Sequence, residues 1–208
     1  MSGLEILAAV LMAAQIVFTI QVINNTRYAL QKYRRVREFR TKAAVIVPCR
    51  GLDDAFEENI RSFFLQDYEP YLLLFVVEDE QDPAYPVLKQ LMEQCRPQSR
   101  ANNVRLLTAG RASGCSQKLH NLLFAVRQAD ADTQVLAFAD SDACVGPNWL
   151  SHLVYPLRDS QAAKNGAATG YRWFVPKTPN WATLTLSAVN AKIAQLLGNT
   201  RFNLAWGG

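Results

Sequence analysis

Two histidines and four cysteines among 208 residues leave little from which to build a zinc site. Cys49, Cys95, Cys115 and Cys144 are widely spaced, form no C-x-x-C pair and have no histidine at ligand spacing. They read as reduced thiols, and His120 and His152 read as structural residues. There is no G-x-S-x-G, no G-x-x-x-x-G-K-S/T and no G-x-G-x-x-G. Those absences remove the nucleophile-elbow hydrolases, the phosphate-loop nucleotidases and the dinucleotide fingerprint. No internal repeat or low-complexity linker interrupts the chain. Positive charge is scarce outside one run. From Asn24 to Lys42 seven Lys or Arg face only Glu38, although the whole chain carries just +4. The remainder is slightly acidic, so the folded part lacks the basic face that nucleic-acid binding requires.

The hydrophobic share is 50%, and one block of it is continuous. Leu4–Ile23 holds a single charge, Glu5. As a helix it measures roughly 30 Å, the thickness of a hydrocarbon core. A cleaved signal peptide and a buried core helix are the alternatives. A signal peptide starts basic, whereas Met1–Glu5 carries no Lys or Arg and the basic residues follow the span. That order predicts an uncleaved anchor over residues 1–24 and a basic juxtamembrane segment over 25–42, with the domain that follows on the cytoplasmic side. The basic run adds attraction to anionic lipid.

Beyond Lys42 short apolar runs alternate with helical periodicity. Strands are predicted at Ala43–Val47, Leu72–Val77, Val104–Leu107, Val135–Ala139 and Ala167–Val175. Helices are predicted from a cap at Asp53 or Asp54 to Leu65, at Ala84–Gln94, at Lys118–Ala129, from Pro147 to Leu157, and at Trp181–Leu197. Strands apolar throughout and separated by helices specify an α/β domain whose mostly parallel sheet is covered on both faces.

Such sheets bind ligands beyond the carboxyl ends of their strands. Three polar clusters fall there: Pro48-Cys49-Arg50, Glu78-Asp79-Glu80 and Asp140-Ser141-Asp142. Carboxylates ending two strands supply hard oxygen ligands for a divalent Mg or Mn ion, which in turn bridges phosphates. In Asp140-x-Asp142 the two-residue step puts both carboxylates on one side of an extended chain. Lys118 opens a helix after a glycine-containing loop, where backbone N–H groups favour anions. The plain readings are a solvated turn with a helix cap for the acidic cluster, and a surface residue for Lys118. Arg172-Trp173 fits either ligand stacking or strand packing.

In order and spacing these stretches resemble a family 2-type glycosyltransferase of GT-A fold, in the ceramide glucosyltransferase-like branch that includes hopanoid-type lipid enzymes. The resemblance rests on Val45–Gly51, Asn59–Tyr68, Val77–Ala84, Gln117–Leu122, Asp140–Asp142 and Gly170–Trp173. It implies a GT-A glycosyltransferase domain over 43–208, a UDP-sugar donor, a divalent metal and a membrane lipid acceptor, with inversion at the transferred carbon. The acceptor stays open among ceramide, diacylglycerol, hopanoid and polysaccharide. By the same resemblance Pro48 shapes the nucleotide pocket, Asp79 contacts the nucleotide, Lys118 lines the donor pocket, and Asp140 and Asp142 face the donor, Asp142 as the direct metal ligand. The catalytic base of similar enzymes follows a segment like Ala205-Trp206-Gly207-Gly208. The chain is therefore expected to be an N-terminal fragment with its base beyond Gly208. The rival functions are a nucleotidyltransferase-like enzyme, a phosphatase of the haloacid-dehalogenase type, and a non-catalytic, membrane-anchored nucleotide-sugar-binding domain. The phosphatase requires its D-x-D after the first strand, whereas here it follows the fourth.

Overall fold

The structure is a computed structural model that describes residues 2–34, 39–158, 166–171, 174–176 and 178–196. The chain forms two compact units, Arg37–Ala168 and the pairing of Met1–Val36 with Thr169–Gly208.

The first unit is built on a four-stranded, wholly parallel sheet in the order β3-β2-β1-β4. Its strands are β1 (Ala43–Pro48), β2 (Tyr71–Val77), β3 (Asn103–Thr108) and β4 (Val135–Phe138). Helices follow each strand: α2 (Phe56–Phe64), α3 (Ala84–Cys95), α4 (Gln117–Gln128) and α5 (Trp149–Val154). β2 is buried along its whole length and β1 as far as Val47, as runs apolar on both faces require. Alternate residues enter different cores. Val45, Val47, Leu73, Phe75 and Val77 pack with Phe63 and Phe64 of α2, Leu88 and Leu91 of α3, and Leu150 and Val154 of α5. Ala44, Ile46, Leu72, Leu74 and Val76 meet Ala125 of α4 on the other face. That second face is less completely covered, and Leu123, Leu136 and Phe138 stay exposed.

Three predicted features shift. α2 starts at Phe56 instead of at a cap on Asp53 or Asp54. Asp53 spends its carboxylate on the Ala55 N–H and its carbonyl on the Phe56 N–H, closing a turn ahead of the helix. Pro147 does not open α5, because its carbonyl accepts the Asp67 N–H at 2.7 Å and the helix begins two residues later. A short 3₁₀ turn, Tyr155–Leu157, completes the predicted span. The fifth strand is not formed in the described part of Ala167–Val175. There Tyr171 Oη donates to the Asn190 carbonyl and accepts from Asn190 Nδ2, and Phe174 N–H donates to Asn190 Oδ1. These three hydrogen bonds go to helix α6 (Trp181–Leu196). Arg172, Trp173 and Ala205–Gly208 lie outside the described residues.

In the second unit α1 (Gly3–Arg34) is one 32-residue helix. Its Gly3–Tyr28 portion is long and apolar enough to cross a membrane. Near its start Ser2 and Glu5 bond reciprocally, a capping box that satisfies first-turn donors.

At the amino edge of the sheet four charged side chains meet. Lys42 Nζ lies 3.2 Å from Asp130 and 2.5 Å from Asp132, and Arg105 lies 2.6 Å from Asp130. The hydrogen bond from Arg105, then that from Lys42, holds the Asp130 carboxyl below its usual value. A depressed folded-state value stabilises the protein above the ordinary carboxyl range and is lost as pH falls through it. Wild type should therefore exceed Asp130→Asn in urea midpoint at pH 7, and the gap should close below about pH 4.

Candidate functional site

The strand order creates one switch point. From β1 the chain steps outward to β2 and β3, then returns to place β4 on the other side of β1. The carboxyl ends of β1 and β4 therefore flank a switch point, where ligands of open parallel sheets bind. Every candidate residue lies at this edge, on the loops that leave the four strands or on the helix entered from one of them.

Pro48 ends β1 opposite Val76. β4 pairs with β1 only as far as Phe138, opposite Ile46, so the missing proline N–H withholds nothing from that ladder. Cys49 follows, buried, with its N–H on the Val76 carbonyl at 2.8 Å. Burial, and then the Asp82 charge, push its thiol well above the usual range, so it stays a neutral thiol. Gly51 turns the chain at φ +64° and donates its N–H to Asp82 Oδ1 at 2.8 Å. The same oxygen accepts from Ala84 N at 2.9 Å. Asp82 thus ties the loop after β1 to the start of α3. Asp79 is exposed, and one of its oxygens accepts the Gln81 N–H at 2.8 Å within its own turn. The helix-cap reading of the acidic cluster holds for Asp82, while Asp79 remains at the open rim.

The loop after β3 delivers α4. Gln117 organises it, donating to the Gly110 carbonyl and to Asn121 and accepting from Ala112 N. His120 sits 3.0 Å from the Ala109 carbonyl, a structural contact as expected. Ser116 caps α4 through the Leu119 N–H. Within the first turn, Lys118 Nζ lies 2.6 Å from Asp140 Oδ1. The amino end of α4 and the end of β4 are thereby joined by an ion pair, with Lys118 58% exposed and Asp140 28%.

Asp140-Ser141-Asp142 leaves β4 in a turn closed by the Ala143 N–H on the Asp140 carbonyl. Asp140 is half-buried and Asp142 exposed. Among the described residues no three His, Cys, Asp or Glu come close enough to hold an ion together. Two carboxylates at one strand end match instead an ion such as Mg²⁺, which binds through one or two carboxylates and takes its remaining ligands from water and phosphate. A second Asp-x-Asp, Asp130-Ala131-Asp132, lies at the opposite edge and is engaged by Lys42 and Arg105.

A cavity of about 530 Å³ lies beside the same loop, lined by Glu58, Arg61, Ser62, Leu65, Cys144, Val145 and Pro147. None of Pro48, Asp79, Lys118, Asp140 and Asp142 lines it. The candidate residues form an open rim, with Asp79, Lys118 and Asp142 exposed.

One positioning group escaped the sequence. Gln66, 1% exposed, donates Nε2–H to the carbonyls of Ser62 and Gly146, both at 3.0 Å, and accepts the Leu150 N–H. Ser62 Oγ accepts the Val145 N–H at 3.0 Å. Phe63 meets Trp149 edge to face at 6.1 Å. The end of α2 thus grips residues 145–150, the stretch that follows Asp142. The available signal was an uncharged polar residue directly after Phe63-Phe64-Leu65. Gln66→Leu takes the acceptor from the buried Leu150 N–H, while the Ser62 and Gly146 carbonyls keep the N–H groups of Leu65 and Trp149, and should cost about 1–3 kcal/mol by urea denaturation. Amide exchange over 143–150 should quicken in the same variant.

The sequence profile described as Glycosyl transferase family 21 matches residues 6–197. Ceramide glucosyltransferase 3 of Caenorhabditis elegans is 33% identical over 118 residues, which is 54% of this chain and 25% of that protein. Ceramide glucosyltransferase 1 of the same organism is 33% identical over 86 residues, 41% of this chain and 18% of that protein. The chain matches a quarter or less of the length of these curated relatives. Among solved structures, the mannosyltransferase PcManGT from Pyrobaculum calidifontis, in complex with GDP-Man and Mn²⁺, aligns with TM-score 0.45 and 19% identity over 69% of this chain and 43% of its own. S. aureus TarS aligns with TM-score 0.41 and 18% identity over 66% and 24%.

Proposed function

The chain belongs to glycosyl transferase family 21, and from that membership we propose that it carries the donor half of a membrane-anchored hexosyltransferase that moves a sugar from UDP to a lipid. The observation that carries this reading is Asp140-x-Asp142 at the end of β4, at the switch point of the sheet, with Lys118 of α4 in contact with it.

Each residue has a task in this reading. The end of β1 at Pro48 and the loop that turns at Gly51 border the nucleotide. Asp79, at the rim beyond β2, contacts it. The first turn of α4 presents backbone N–H groups and the Lys118 ammonium to the diphosphate. Asp140 and Asp142 would hold Mg²⁺ or Mn²⁺, which supplies charge neutralisation for the departing diphosphate. Preorganised positive charge is worth most where negative charge develops, here on the leaving oxygen as the sugar–phosphate bond breaks. The sugar passes through an oxocarbenium-like state, and attack from the opposite face inverts it. The acceptor hydroxyl loses its proton to a base outside the residues assigned here.

The lipid acceptor follows from the ceramide glucosyltransferase relatives and from α1. We assign residues 1–24 as the anchor, 25–42 as a basic segment against anionic lipid, and 43–208 to the transferase domain on the cytoplasmic side.

The full chain in detergent should bind UDP-glucose by calorimetry in the presence of Mn²⁺ and lose that binding with chelator. Asp142→Ala should abolish the ion-dependent part, while Asp132→Ala, at the opposite edge, should leave it intact. Ion-independent binding, or equal loss in both variants, contradicts the reading.

A further inference from the structure

We infer that Lys118 is an exchangeable counter-ion, held on Asp140 while the donor is absent and drawn to the donor's diphosphate when it arrives, so that the divalent ion binds well only together with the nucleotide. This rests on the donor-site reading above and goes beyond it, because it fixes the dependence of one ligand on the other.

The geometry supplies the argument. Lys118 Nζ contacts Asp140 Oδ1 at 2.6 Å, so one oxygen of a carboxylate assigned to the ion is already taken by a cation. A divalent ion entering alone must displace that ammonium or bind against its repulsion. A nucleotide diphosphate changes the balance. It offers the ammonium a more strongly anionic partner at the amino end of α4, where backbone donors already favour an anion. Lys118 has the freedom to change partner, being 58% exposed on a flexible four-carbon stem. Gln117 and Ser116 fix the helix start, so the exchange needs movement of one side chain only. Asp140 is set more rigidly, half-buried where its turn closes on the Ala143 N–H. The same exchange couples the two ligands reciprocally, since whatever the nucleotide does for the ion the ion must do for the nucleotide.

The test is Mn²⁺ binding to the full chain in detergent, read by electron paramagnetic resonance of the free ion, with and without UDP. An ion pair this exposed is worth up to about fivefold in an equilibrium constant. Lys118→Gln should therefore bind Mn²⁺ alone up to about fivefold more tightly than wild type, while Lys118→Arg should behave as wild type. The factor by which UDP strengthens Mn²⁺ binding should shrink in Lys118→Gln. A merely orienting lysine would give the opposite sign. Mn²⁺ affinity in Lys118→Gln that is equal to or weaker than wild type overturns the exchange while leaving the donor site standing. Wild-type UDP binding that is indifferent to Mn²⁺ overturns the donor-site reading, and the exchange with it.

Discussion

The burial of β1 and β2 on both faces governs where chemistry can occur in this protein. Ala43–Val47 and Tyr71–Val77 are enclosed by helices on one side and by α4 on the other, so a charged side chain within either strand would be desolvated without a partner. Polar function is therefore expelled to the strand ends. The order β3-β2-β1-β4 then decides which end is useful, because the strand order reverses at β1 and creates a switch point at the carboxyl edge. Arg50, Asp79, Lys118, Asp140 and Asp142 are polar residues gathered by an apolar sheet.

The two edges use similar residues differently. At the amino edge Asp130 and Asp132 meet Lys42 and Arg105 and fasten the stretch ahead of β4 to the start of β1 and to β3. At the carboxyl edge Asp140 meets a single lysine, which stands at the mouth of a helix and is largely exposed. The first arrangement neutralises charge and is structural. The second leaves an acidic oxygen and an exposed cation side by side. Behind it Gln66 and Ser62 hold the loop after Asp142, so a rigid support carries a chemically open rim.

Much of this was legible in the sequence because hydrophobic periodicity reports burial directly. The four apolar runs became four parallel strands, and the helices between them appeared within a few residues of their predicted spans. The α/β expectation is met, and family membership carries the GT-A assignment with it. What stayed hidden depends on contacts distant in sequence. Asp140-x-Asp142 follows an apolar run and Asp130-x-Asp132 precedes it, so the sequence already separates the two, but the cations that each meets come from distant positions and show only in the fold. The hydrogen bonds of Gln66 to Gly146 and Leu150 span 80 residues or more. In its described part the expected fifth strand is likewise absent, and Tyr171 and Phe174 bond Asn190, a partner distant in sequence.

The central claim is that the carboxyl edge of the sheet, and no other acidic surface, receives the ion and the nucleotide together. Paramagnetic broadening of amide signals by Mn²⁺ in the presence of UDP, on isotopically labelled full chain, tests it most directly. Broadening centred on residues 140–142, extending to 48–51, 79–82 and 116–118, is the result the account predicts. Broadening centred on residues 130–132 at the opposite edge, or spread evenly over the acidic surface, would contradict it.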